Sequence, residues 1–87
     1  MYKVYLLDAA ASDLAHLDRS VAQRIARRIQ WLAENVEAIR PVALTGDLAG
    51  MCKLRVGDYR VIYEILHSEE TLVVHMIGQH SEVYRKR

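Results

Sequence analysis

Three cations near the middle of the chain, Lys53, Arg55 and Arg60, are the residues whose type and spacing best fit chemistry. They flank Gly57-Asp58, a dipeptide that suits a two-residue turn of type II′ between two strands. In such a hairpin Arg55 lies directly opposite Arg60, and Lys53 shares their face because side chains alternate along a strand. Guanidinium groups bind phosphate through paired hydrogen bonds, so this face predicts a phosphate site.

A second interpretation of this charged face is structural. Exposed strands carry lysine and arginine to prevent edge pairing and keep a protein soluble, and Glu64 on the same face neutralises part of the charge. Against that interpretation, like charges opposed in a sheet destabilise it, by up to about 1 kcal/mol. The charge pattern alone favours neither interpretation.

The opposite face of the same hairpin is apolar and predicts the core. Side chains alternate along a strand, so Cys52 lies on this same face, and we expect a buried, unreactive thiol rather than a nucleophile. The residues expected on this face are Leu54, Val56, Tyr59, Val61, Tyr63 and Ile65.

Histidines and the basic helix residues give weaker signals. His16, His67 and His75 have no second metal-type ligand at a useful spacing, so no zinc site is expected. Trp31 in a helix is expected to pack rather than to serve as a binding platform. The cluster Arg24, Arg27 and Arg28 fits either a solvated helix face or a surface that contacts an anionic partner, such as a nucleic acid or the acidic residues of a protein.

The elements that must position these residues follow from hydrophobic periodicity and turn signals. Helices followed by consecutive strands predict an α+β fold, with two N-terminal helices packed on one face of a mainly antiparallel, four-stranded sheet. The predicted order is a strand at 2–7, helices at 9–17 and from Ser20 to about Asn35, a loop at 37–50 in which Val42, Leu44 and Leu48 cover the core, a hairpin of 51–56 with 59–66, a strand at 71–77, and a tail at 79–87.

Length and composition exclude several classes of protein. With 87 residues, 52% hydrophobic residues and a net charge of +1, the chain is too short for a second domain and too apolar for disorder, so 1–87 is expected to be one domain. A single cysteine excludes an internal disulfide, and neither a signal peptide nor a membrane span is recognisable, so a cytoplasmic protein is expected. The near-neutral charge argues against bulk coating of nucleic acid.

The motif Leu-Arg-Val-Gly-Asp-Tyr-Arg at 54–60, followed by an apolar strand, resembles the signature of the RelE/ParE toxin superfamily within the run 44–65. The segment Ile-Gly-Gln-His-Ser-Glu-Val-Tyr at 77–84 is similar to the end of the RelE-like branch. The resemblance implies a type II toxin whose activity is that of a ribosome-dependent endoribonuclease (mRNA interferase), which cuts mRNA in the ribosomal A site and inhibits translation. It also implies a RelB-like antitoxin, assembled with the toxin as a heterotetramer, contact with ribosomal RNA, and no membrane, metal or cofactor.

The resemblance also assigns roles to individual residues. It implies that Arg60 holds the scissile phosphate, that Lys53 is a candidate general base and that Tyr84 stacks on or orients the substrate nucleotide. His80 stands where many relatives carry arginine, and Met51 where some carry lysine. Since imidazole has an ordinary pKa of about 6.5, His80 suits acid–base catalysis, although it equally fits a solvated surface position. Arg55, Arg85 and Lys86 are the expected RNA-binding cations.

Two alternatives remain on the same scaffold. One is a ParE-like toxin that traps a gyrase rather than cutting RNA; the cations lost at Met51 and His80 favour it weakly, and the Glu-Val-Tyr ending opposes it. The other is a catalytically degenerate chain kept as an antitoxin-binding module.

Overall fold

The computed structural model describes residues 1–79 and shows two helices packed against one face of a sheet. The helices are α1 (Asp8–Ala15) and α2 (Arg19–Glu34). The strands are β1 (Lys3–Leu6), β2 (Val42–Ala43), β3 (Cys52–Val56), β4 (Tyr59–Leu66) and β5 (Thr71–Gln79).

Helix α2 forms because its apolar residues recur every three or four positions. Ile25, Ile29 and Leu32 are buried, as this spacing predicts, and the stripe continues to buried Val36 in the following 3₁₀ turn. Helix α1 ends at Ala15, two residues before the predicted end, because its last turn tightens. There the Leu17 amide donates to the carbonyl of Leu14, three residues back.

The sheet has five strands in the order β1-β5-β4-β3-β2. Strand β1 is parallel to β5 and the other pairs are antiparallel, which confirms a mainly antiparallel sheet. The prediction of four strands was one short, because β2 lies within the predicted loop. Val42 and Ala43 pair with Lys53 and Cys52, and a strand of two residues leaves no periodicity to detect.

The hairpin of β3 and β4 has the predicted register. Arg55 pairs with Arg60, and Val56 with Tyr59. Gly57 has a φ of +60° and Asp58 does not have a positive φ, which fits the predicted type II′ turn.

Strand β5 differs from the prediction in two ways. It extends to Gln79 rather than ending at Ile77, because Gly78 and Gln79 still pair with β4. A β-bulge also interrupts the pairing, since Ile62 pairs with Met76 and the next residue of β4 pairs with Val74. One extra residue, His75, therefore lies in β5 at this point.

The core lies between the helices and the inner face of the sheet. Tyr63, Leu72 and Val74 are essentially buried there against residues of α2. Burial raises the pKa of Tyr63 to about 12. No helix within residues 1–79 combines the length and the apolar character that crossing a membrane requires.

We expect Val74→Ala to lower the free energy of unfolding by about 2 kcal/mol, because it removes buried methyl groups and leaves a cavity. Val42→Ala, the matched change at a side chain that is 53% exposed, should lower it by less than about 0.5 kcal/mol. Urea denaturation measures both values. Equal losses for the two variants would contradict this description of the core.

Candidate functional site

The outer face of the sheet, which points away from the helices, carries the three predicted cations. Arg55 and Arg60 are direct partners across the hairpin, and Lys53 pairs with Ile62 two positions further along. The predicted grouping of Lys53, Arg55 and Arg60 on one face is therefore confirmed. A sheet presets the spacing of these side chains more rigidly than a loop would.

Arg60 is the most constrained of the three cations. Its side chain is half-buried, and Nη1 donates a hydrogen bond to the Tyr59 carbonyl oxygen at 3.2 Å. Its Nε is buried and has no hydrogen-bond partner among residues 1–79. An unpaired buried donor costs about 1–3 kcal/mol, and such groups in native proteins call for an explanation.

Arg55 is exposed and is held by the turn itself. Its Nε donates to the Gly57 carbonyl oxygen at 3.1 Å. Both opposed arginines thus bond to backbone carbonyls at the end of the hairpin, and these dipoles offset part of the repulsion between Arg55 and Arg60. The face can bind an anion without a large rearrangement.

The outer face also carries an apolar residue, Ile62, which the alternation of side chains places there and whose complete burial the sequence did not indicate. Ile62 is fully buried although it lies between Arg60 and Glu64 on the strand, and it stands outside the main core cluster. Leu48 is likewise buried outside that cluster. The prediction that Val42 covers the core is wrong, because pairing at the sheet edge leaves it 53% exposed.

Glu64 pairs with a histidine rather than with the cations. His75 Nε2 lies 3.1 Å from Glu64 Oε1, and the bulge in β5 brings the two side chains together on the outer face. Glu64 was expected to neutralise part of the cationic face. Because a bulge depends on how two strands pair, nothing in either strand alone could have predicted this contact.

The remaining predicted site residues, His80, Tyr84, Arg85 and Lys86, lie outside the described residues. Their roles stay predictions.

Comparison with known families gives a match over nearly the whole chain. The model of the family described as "ParE toxin of type II toxin-antitoxin system, parDE" matches residues 4–84. The chain belongs to the ParE toxin family. The toxin is therefore a member of the RelE/ParE superfamily, as the motif at 54–60 predicts.

Solved structures show the same fold as the toxin. The RelBE2 toxin–antitoxin complex of Mycobacterium tuberculosis has a chain that matches with a TM-score of 0.81 and 23% identity, over 92% of each chain. The isolated RelE toxin of E. coli matches with a TM-score of 0.77 and 20% identity, over 99% of this chain and 94% of that one. The YoeB/ParE toxin of Agrobacterium tumefaciens matches with a TM-score of 0.74 and 23% identity, over 90% of this chain and 98% of that one. No curated protein matches the toxin.

Trp31 is placed differently from the prediction. It is 41% exposed, and the Arg28 guanidinium carbon lies 4.8 Å from the centre of its ring. Burial on α2 is concentrated on the stripe of Ile25, Ile29 and Leu32, so Trp31 stays at its margin. Its exposure depends on the width of the sheet beneath the helix, which the helix sequence does not specify.

Cys52 lies on the inner face, as predicted, half-buried and packed against the core. Burial raises the pKa of its thiol above the ordinary value.

The histidines have structural contacts: His16 Nδ1 lies 2.7 Å from the Ser12 carbonyl oxygen, and His67 Nδ1 lies 3.1 Å from the Tyr2 hydroxyl. Within residues 1–79 no three His, Cys, Asp or Glu side chains are grouped as metal ligands would be.

The raised pKa of Cys52 predicts slow modification of the folded toxin. At pH 8 we expect its thiol to react with a disulfide reagent at least about ten-fold more slowly in the folded toxin than in urea, because a higher pKa lowers the thiolate fraction and packing limits access. The folded-state rate should keep rising above pH 9. The sequence has one cysteine, so the measured rate of thiol modification comes from Cys52 alone. An equal or faster rate in the folded toxin would overturn the assignment of an inert thiol.

Proposed function

We propose that the toxin is a ribosome-dependent endoribonuclease that cleaves mRNA through attack by a ribose 2′-hydroxyl. The observation that carries the proposal is the pair Arg55 and Arg60, held side by side as direct partners on a rigid sheet. Two guanidinium groups fixed side by side suit a phosphate that gains negative charge during a reaction.

The proposed reaction needs three groups around that phosphate. A base, Lys53, removes the 2′-hydroxyl proton, and the 2′-oxygen then attacks the adjacent phosphorus. Arg55 and Arg60 stabilise the charge on the five-coordinate phosphorus. The bond from phosphorus to the 5′-oxygen breaks, and His80 supplies the proton that the leaving oxygen takes. The products are a 2′,3′-cyclic phosphate and a 5′-hydroxyl.

The position of β5 supports a role for the C-terminal residues. Gly78 pairs with Arg60, so the chain leaves β5 beside the proposed phosphate site. Tyr84 follows Gln79 by five residues in the sequence, so it belongs to the segment that continues directly from this end of β5. We assign Tyr84 to stacking on the substrate nucleotide, and Arg85 and Lys86 to its phosphates.

The small size of the cationic face explains why the proposal includes the ribosome. With a net charge of +1, the toxin has too little electrostatic attraction to hold RNA by phosphate contacts alone. A ribosome would supply affinity and position the mRNA in its A site. The proposed location of the toxin is accordingly the cytoplasm.

A RelB-like antitoxin is the proposed protein partner. Solved relatives of the same fold include RelB–RelE complexes from Pyrococcus horikoshii and Methanococcus jannaschii. We propose that an antitoxin binds this toxin in the same general way, within a heterotetramer.

A second candidate function comes from the family match itself, which is to ParE toxins. A toxin that traps gyrase would use this scaffold to bind a protein rather than to cut RNA. Inducing the toxin without an antitoxin separates the two candidates. New mRNA 5′ ends mapped by primer extension support cleavage, whereas DNA damage with intact mRNA supports the gyrase target.

Arg60→Met should abolish mRNA cleavage, with a loss of at least about 100-fold, because it removes a cation that stabilises the reacting phosphate. The free energy of unfolding should stay the same or rise by up to about 1 kcal/mol, since the change removes an unpaired buried donor and the repulsion from Arg55. Arg19→Ala, a change at an exposed arginine at the start of α2 and outside the Arg24, Arg27 and Arg28 cluster, is the control and should cut normally. A folded Arg60→Met variant that still cuts would place the catalytic site elsewhere.

A further inference from the structure

A groove of about 280 Å³ runs between α2 and the exposed edge of β3. Its lining includes Arg28 and Trp31 of α2, Arg40 of the segment that follows the helix, and Lys53 and Arg55 of β3. The groove exists because β2 pairs only with Lys53 and its neighbour Cys52. The edge of β3 beyond Lys53 is therefore not covered by a strand.

The groove is strongly positive. Arg28, Arg40, Lys53 and Arg55 all line it, and none of the described lining residues is acidic. None of the four cations forms an ion pair with a carboxylate within residues 1–79. Charge complementarity therefore points to an anionic occupant.

The groove also presents a flat stacking surface. Trp31 is 41% exposed, and the Arg28 guanidinium lies over its ring at 4.8 Å. Nucleic-acid bases stack on indole rings and on guanidinium planes, and each stacked base contributes about 1–3 kcal/mol. A peptide whose side chains are all acidic has no aromatic ring to stack on this surface, so cations combined with an exposed indole ring favour RNA.

Lys53 and Arg55 belong to both the groove and the outer face. A chain of phosphates can therefore pass from Arg60 around the edge of β3 into the groove without leaving positive surface.

We propose that this groove is a second RNA subsite, which binds a single-stranded nucleotide flanking the one held at Arg60. Arg40 contacts its phosphate, and the base stacks on the Trp31–Arg28 pair. The inference rests on the proposed function in taking RNA as the substrate, but it concerns residues that do not touch the reacting phosphate.

Trp31 is the sole tryptophan of the sequence, so its fluorescence reports directly on the groove. We would titrate the toxin, free of antitoxin, with a 2′-O-methyl oligouridylate, in which the attacking hydroxyl is blocked. The expected result is saturable quenching of Trp31 fluorescence. The apparent Kd should be about ten-fold higher in Arg28→Ala and in Arg40→Ala than in the unchanged toxin. Arg27→Ala, on the same helix but outside the groove, should bind as the unchanged toxin does.

Three results would overturn the groove proposal. They are the absence of quenching, equal weakening by Arg27→Ala, and equally tight binding of a polyglutamate of the same charge, which would indicate an acidic protein partner instead.

A cleavage assay on programmed ribosomes separates this proposal from the proposed function. Arg28→Ala and Arg40→Ala should raise KM several-fold with kcat nearly unchanged, whereas Arg60→Met should remove cleavage and keep the quenching. If the oligouridylate quenches Trp31 fluorescence but the toxin never cuts mRNA, the proposed endoribonuclease activity is contradicted and the RNA subsite is supported. Cutting without quenching would overturn the subsite and retain the endoribonuclease.

Discussion

The register of the hairpin is the constraint on which the rest of the structure depends. A two-residue turn at Gly57-Asp58 pairs Arg55 with Arg60 and places the apolar residues of both strands on the opposite face. A slip of one residue would turn the cations into the core and the core residues into solvent. The register of the hairpin therefore fixes the positions of the main core and of the cationic face together.

Several features of the sheet extend this arrangement to the proposed site. Strand β5 pairs with β4 as far as Gln79, so the chain reaches its C-terminal segment beside Arg60. Strand β2 is so short that most of the edge of β3 stays open toward α2. The same sheet thus offers one cationic face and one cationic edge, joined by Lys53 and Arg55.

Much of this fold could be predicted because its signals are local. The apolar stripe of α2, the alternation in β3 and β4, and the glycine of the turn each specify their element within a few residues. The pairing of Arg55 with Arg60 follows from the turn alone. The family could also be predicted, because its motif is a continuous run of residues at 54–60. This run forms the end of β3, the turn and the start of β4.

The rest depends on contacts between distant parts of the chain. Strand β2 consists of two residues, and the pair His75 and Glu64 meets only because a bulge shifts one strand against another. The exposure of Trp31 and the buried Nε of Arg60 depend on how the surrounding elements pack. No periodicity or propensity encodes these features, and they include the groove proposed as an RNA subsite.

Cleavage of ribosome-bound mRNA by the purified toxin tests the central claim most directly. Two mRNAs are compared, identical except that one lacks the 2′-hydroxyl of the A-site nucleotide on the 5′ side of the cut. The account predicts that the natural mRNA is cut to a 2′,3′-cyclic phosphate end and that the deoxy-substituted mRNA stays intact. Equal cutting of both would contradict attack by the 2′-hydroxyl, and cutting of neither would contradict the endoribonuclease itself.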